Sequence, residues 1–198
     1  MIKMKIFSDY ICPFCYIGGE IVEKLNLEYD LDVEWHGLEI HPETHSEGAD
    51  LNQLFGKERL QGMFGGLKQM ADAYNLPLVP QERMPNSLHA LEAAEFARSH
   101  GKHHTLHNAL MRAYFAEQKD IGDVAILKDL AQSIGLDASE LEAALSSGQF
   151  RPKIEADALE ARRLGIHSTP TFIINDEITV SGAQPLEQFR KILNKIPQ

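Results

Sequence analysis

The amino-acid pattern predicts an α/β protein whose central mixed sheet comes from the two ends of the chain and whose middle is a large all-helical insertion. Three observations carry this prediction. Residues 1–40 read as strand, helix, strand; apolar positions recur at helical spacing from about Leu51 to Gly148; and residues 150–198 return to helix, strand, strand, helix. The corresponding divisions are 1–48, 49–149 and 150–198.

The first strand is "IKMKIF", where Ile2, Met4 and Ile6 alternate with lysines before Phe7. A turn-like break, "SDYICPFC", follows. Beyond it Ile17, Ile21, Val22, Leu25 and Tyr29 recur at helical spacing, and Pro13 suits the first turn, where its missing N–H would have no partner. "LDVEWHGLEI" alternates again as a second strand. In the middle, "NSLHALEAAEFARSHG" starts at Asn86 or Ser87 as cap and stops at Gly101. "HHTLHNALMRAYFAEQ", "DVAILKDLAQSIG" (from near Asp123) and "ASELEAALSSG" (to Gly148) complete four short helices. The earlier stretch "LFGKERLQGMFGGLKQMADAYNLPLVP" is irregular by this reading, with mobility expected around Gly62 to Gly66 and breaks at Pro77 and Pro80. At the end come the helix "PKIEADALEARRLGI" up to Gly165, strands "TFIIN" and "DEITVSG" joined by a tight turn at Asn175-Asp176, and an amphipathic helix from Pro185.

Composition narrows the function. Twenty-nine acidic against nineteen basic residues leave a formal net charge of −10, which repels nucleic acid and anionic membranes. "MIKMKIFSDY" does not read as a signal peptide and no apolar run is long enough to span a bilayer, so the expected location is the cytoplasm. Thiols are kept reduced there, so a purely structural disulfide is not expected.

The chain has two cysteines, Cys12 and Cys15, both on the first loop. The predicted order puts Cys12 at a helix N-cap, beside free backbone N–H groups and the positive end of the helix dipole. A thiol of pKa about 8.5 is only roughly 3% ionised at pH 7; lowering it by about 1.5 units makes it roughly half thiolate, for about 2 kcal/mol. The thiolate is the form that attacks disulfides. Cys15, three residues on, is placed to resolve. The pair could instead be half of a zinc site, although no second cysteine pair exists.

Other residues carry weaker signals. His100, His103, His104 and His107 cluster, and His103 and His107 would share a helix face, so a metal site is conceivable; surface histidines are the plainer reading. Asp9 could tune the thiolate, relay a proton, or cap the loop through an Asx-type turn, the last being preferred. His36 and His41 flank strand two and are expected to face solvent. His167 is a candidate for the active-site rim. Trp35 and Phe172 read as sheet core, Phe7 as core or rim.

These segments together resemble the DsbA-like oxidoreductases, a thioredoxin fold split by a helical domain, and are similar to their FrnE-type cytoplasmic branch. The resemblance is carried by "DYICPFCYIG", "PNSLHALEAAEFAR", "LMRAYFAEQKDIGD", "LAQSIGLD" and "ARRLGIHSTPTFIIN" and spans nearly the whole chain. It implies a cis Thr169–Pro170 bond against the cysteines, with Thr169, Pro170, Pro13, Phe14 and His167 bordering the substrate. It implies disulfide exchange through Cys12 and Cys15, without cofactor or metal, with protein thiols and disulfides as partners and glutathione as a possible co-substrate. Kappa-class glutathione transferases and hydroxychromene-carboxylate isomerases share the fold, but there the resemblance calls for serine where this chain has Cys12. Pro13-Phe14 replaces the Pro-His of periplasmic DsbA proteins, so the couple is expected between about −120 and −270 mV. Two alternatives remain open at this point: a non-enzymatic adaptor or redox sensor on the same fold, and a glutathione-dependent small-molecule isomerase or transferase.

Overall fold

The computed structural model describes residues 1–196. Strand β1 (Ile2–Ser8) is central. It pairs in parallel with β2 (Leu31–Gly37), with Ile6 opposite Trp35, and antiparallel with β5 (Thr171–Ile174), with Ile6 opposite Phe172. β5 in turn pairs antiparallel with β6 (Ile178–Ser181), giving the order β2-β1-β5-β6. Both residues of the β5–β6 turn, Asn175 and Asp176, have positive φ, the conformation a two-residue hairpin turn demands. The second strand stops at Gly37, not Ile40. Leu38 N–H still bonds the Ser8 carbonyl, but the Ile40 N–H turns to the Asp9 carboxylate.

Alternation along β1 divides the protein into two packing layers. Met4 and Ile6 face the helix α1 (Pro13–Asn26), whose Ile17, Ile21 and Leu25 are buried, and the large core continues from there. Phe7 faces the other way, into a small cluster with Ala161, Ile166 and Ile173 beside α8 (Arg151–Arg163). Phe7 is therefore core. Phe172 packs edge-on against Phe189 of α9 (Leu186–Leu193), with ring centroids 4.8 Å apart. Burying each such ring contributes about 1.5–3 kcal/mol.

Between β2 and α8 the chain forms α2 (Leu51–Phe55), α3 (Lys57–Asp72), α4 (Leu88–Ser99), α5 (His103–Phe115), α6 (Val124–Ser133) and α7 (Ala138–Ser147). The Asp123 and Asp137 carboxylates cap α6 and α7 by accepting first-turn N–H bonds. At α4 the capping oxygen belongs to Asn86, which accepts from Leu88 N–H at 3.0 Å.

Two expectations for this stretch are corrected. It is not all-helical: β3 (Ala49–Asp50) and β4 (Arg83–Met84) form a short antiparallel ladder that closes the α2–α3 excursion at its base. Nor is the stretch before Pro77 irregular: Gly62 to Gly66, where mobility is expected, lie inside the continuous helix α3. Leu60, Phe64 and Leu67, packed against the core, hold that helix in place despite the glycines. None of the described helices is long and apolar enough to cross a membrane.

Candidate active site

The loop between β1 and α1 delivers both sulfurs. Cys12 is the N-cap residue of α1 and Pro13 its first helical residue, as the spacing predicts. No side chain caps this end, and the Cys15 N–H bonds the Cys12 carbonyl at 2.9 Å. Both thiols are free and buried, Cys12 at 4% exposure and Cys15 at 0%. The Cys15 thiol hydrogen-bonds the Cys12 sulfur and, against the opposing effect of burial, holds its pKa below the ordinary thiol value; the Thr169 side chain and the Cys15 backbone add to this. Burial drives Cys15 the other way, well above an ordinary thiol, and its bond to Cys12 reinforces the shift. One sulfur is prepared to ionise and the other to stay protonated.

The loop before β5 closes the site. The Thr169–Pro170 peptide is cis, and Cys12 Sγ donates to the Thr169 carbonyl at 3.4 Å. Pro170 and Phe172 press on α1 at Gly18, where an added Cβ would lie 3.3 Å from each. Thr169 and Pro170 are thus brought to the cysteines. His167 is exposed, two residues before Thr169 on the same loop.

Asp9 lies at 0% exposure beneath the loop. Its Oδ1 accepts from Ile11 N–H at 3.4 Å, the Asx-type arrangement expected, and its Oδ2 accepts from Ile40 N–H at 2.7 Å. It therefore ties the cysteine loop to the segment after β2. Burial raises its pKa to about 6, against the backbone bonds that favour the carboxylate. In its charged form it opposes the Cys12 thiolate.

Two histidine expectations change. His36 does not face solvent: it is 5% exposed, stacked on Phe7, and its Nδ1 lies 2.8 Å from Asp157 Oδ1. Burial opposes ionisation of Asp157, but His36 and Lys153 hold its pKa below the usual carboxylate value. His36, Asp157 and Glu160 could each offer a ligand atom within 4.8 Å of the others. Lys153 already sits on Asp157 and Lys5 on Glu160, so both carboxylates of the group are paired with lysines, while His36 Nε2 and Asp157 Oδ2 make no hydrogen bond. His107 is not on the surface either. It is 3% exposed, its ring 4.1 Å from Trp35, while His104 is exposed and pairs with Glu23; the four histidines do not converge on one point. His41 pairs with Glu43 and lines the cavity described next.

A cavity of about 680 Å³ opens beside the cysteine loop. Ile11 and Pro13 form its inner edge, Tyr114 and Phe115 its floor, and Phe55, Leu60, Phe64 and Leu67 of α2 and α3 its outer wall. Phe14, 42% exposed, follows Pro13 in the first turn of α1. The glycine-rich stretch gave no sequence signal of such a wall; the i, i+4, i+7 spacing of Leu60, Phe64 and Leu67 is the pattern that could have revealed it.

Comparison with known proteins agrees with this architecture. The DSBA-like thioredoxin domain profile matches residues 3–194. YwbO of Bacillus subtilis (strain 168), described as uncharacterized, is 29% identical over 199 residues, covering 98% of this chain and 96% of that protein. The crystal structure of the probable DsbA oxidoreductase SCO1869 from Streptomyces coelicolor superposes with a TM-score of 0.90 at 27% identity, covering 98% of this chain and 89% of the other. A 2-hydroxychromene-2-carboxylate isomerase matches in fold alone, with a TM-score of 0.83 at 19% identity over 98% of this chain and 96% of that one. The cytosolic disulfide reductase DsbM from Pseudomonas aeruginosa, solved with GSH, likewise shares the fold, with a TM-score of 0.69 at 18% identity over 98% of this chain and 100% of the other.

Proposed function

The chain belongs to the DSBA-like thioredoxin domain family, and from that premise we propose that it is a cytoplasmic thiol–disulfide oxidoreductase acting on protein substrates through Cys12 and Cys15. The observation that carries the reading is the asymmetry of the two sulfurs: Cys12 at the helix N-cap has its pKa lowered by the Cys15 thiol, while Cys15 is fully buried with its pKa raised.

The Cys12 thiolate attacks one sulfur of a substrate disulfide. A Cys12–substrate disulfide forms, and the other substrate sulfur leaves as thiolate. Cys15 then gives up its proton and attacks the Cys12 sulfur, releasing the second substrate thiolate and closing the Cys12–Cys15 disulfide. The substrate gains two electrons and the protein loses two; the reverse sequence oxidises a substrate dithiol. In either direction the substrate backbone takes the place next to Thr169 and Pro170, where the Thr169 carbonyl now accepts from the Cys12 thiol. Apolar side chains flanking the substrate cysteine enter the cavity that begins at Ile11 and Pro13, with Phe14 and the α3 wall as contacts. Glutathione remains a candidate co-substrate for returning the pair to its starting state.

The test is a Cys15→Ser protein incubated with a disulfide-containing protein. It should accumulate a mixed disulfide on Cys12 that dithiothreitol releases, detectable by intact mass. Recovery of the unmodified chain, with the substrate disulfide intact, would remove the reading.

A further inference from the structure

Between the edge strand β2 and helix α8 stands a group of side chains that disulfide exchange does not use. Glu34 and His36 lie two residues apart on β2 and share a face; Asp157 and Glu160 lie three apart on α8 and share another. His36 and Asp157 are 5% and 2% exposed. Each of His36, Asp157 and Glu160 offers a ligand atom within 4.8 Å of the other two. Ligand atoms at about 2.1 Å from a tetrahedral ion stand about 3.4 Å apart, so the three need only a small inward adjustment to share one.

Hydrogen bonding leaves the group incomplete. His36 Nδ1 lies 2.8 Å from Asp157 Oδ1, and Lys153 Nζ approaches the same oxygen at 2.5 Å. Asp157 Oδ2 and His36 Nε2 are buried without a partner, although Glu34 Oε1 is 3.4 Å from that nitrogen. Buried polar atoms are normally paired, so two orphans in one cluster call for a ligand that accepts lone pairs. Charge points the same way. Four carboxylates, Glu34, Asp157, Glu160 and Asp176, meet two ammonium groups, Lys5 and Lys153, which leaves two negative charges in excess when the imidazole is neutral. A dication cancels that excess.

We propose that His36, Asp157 and Glu160 form a binding site for one divalent first-row transition-metal ion, with Glu34 as a further carboxylate ligand. The imidazole selects such an ion over magnesium or calcium, which take oxygen ligands. Lys153 and Lys5 each hold one carboxylate oxygen and are 38% and 32% exposed, so both can withdraw into solvent as the ion enters. Once bound, the ion ties α8, which leads into the Thr169–Pro170 loop, to β2, which leads to the Ile40 N–H that holds Asp9. It braces the two segments that frame the cysteine loop and takes no part in the exchange itself.

The experiment titrates metal-free full-length protein with Zn²⁺ by calorimetry, in a Cys12→Ser, Cys15→Ser background that removes the thiols as competing ligands. One equivalent should bind and raise the unfolding temperature by several degrees. His36→Gln and Glu160→Gln should each weaken binding by about tenfold or more and remove most of that rise. Mg²⁺ should bind at least about tenfold more weakly than Zn²⁺. Glu160 is 34% exposed, so its variant is the safer for folding and decides alone if His36→Gln does not fold. No binding of Zn²⁺ below about 1 mM would overturn the proposal. So would equal affinity in both variants, which would put the ion on another pair such as His41 and Glu43. If the double-serine background does not fold, the same titrations on the unaltered protein read the site as the one equivalent lost in Glu160→Gln.

Discussion

Cys12 and Cys15 share one helical turn, but the regions on their two sides are built on different principles. Outward from Cys12 lies the 680 Å³ cavity, walled by a helix that contains three exposed glycines, Gly62, Gly65 and Gly66, none of which has a neighbour within 4 Å of an added Cβ. Inward from Cys15 lie Ser8, Tyr10, Trp35 and His107, all under 9% exposed, with only a water-sized gap among them. The outer region has room and a helix that carries glycines, and the inner region has close packing and buried polar atoms. A single short loop separates the open region from the packed one.

The largest effects should come from the sulfurs themselves. Cys12→Ser should abolish turnover in a protein-disulfide reduction assay, and normal turnover in that variant would erase the distinction between the two sides. A smaller, pH-dependent effect belongs to Asp9, which joins both regions. Its folded pKa of about 6 lies above the ordinary 3.8, so the folded protein binds this proton more tightly than the unfolded chain. Its contribution to stability is therefore most favourable below about pH 4 and is lost as pH rises toward about 6, by up to about 3 kcal/mol. Denaturant titrations from pH 4 to 8 should show that decline, and Asp9→Asn should flatten it. An unchanged slope would mean that Asp9 is charged throughout.

Gly18→Ala probes the seam where α1 meets the loop before β5. The new methyl must displace Pro170 Cγ and Phe172 Cζ, each 3.3 Å away, at a cost of about 1–3 kcal/mol. Cys12 should alkylate more slowly as its contact with Thr169 is disturbed; equal rates would show that the seam does not govern Cys12. The smallest effect, of opposite sign, is expected across the cavity. Gly62→Ala and Gly66→Ala should each stabilise the protein by about 0.5–1 kcal/mol, since both sites are helical and unobstructed. Thermal unfolding would register this, and destabilisation instead would show that α3 needs its glycines for some contact not present in this state.

Local features of the fold were legible in the sequence. The N-cap position of Cys12, the role of Pro13, the alternation of β1 and the Asn175-Asp176 turn all depend on neighbours within a few residues. What escaped depends on partners far along the chain. His36 reads as a strand-end histidine until Asp157, 121 residues later, is brought beneath it. The pairing of Tyr10 with His107 spans 97 residues, and a histidine cluster in sequence gave no hint that one member points inward onto Tyr10 and Trp35. In α3 local preference misled in the opposite sense: glycines suggested mobility and an irregular stretch, and the apolar stripe facing the cavity outweighed them.

The most direct test of the account is a redox titration. The protein would be equilibrated with glutathione buffers of graded ratio, acid-quenched, and its free thiols counted by mass after alkylation. The account predicts a single reversible two-electron transition joining Cys12 to Cys15, with a midpoint between about −270 and −120 mV. Two free thiols at every ratio, with no Cys12–Cys15 disulfide formed, would contradict it.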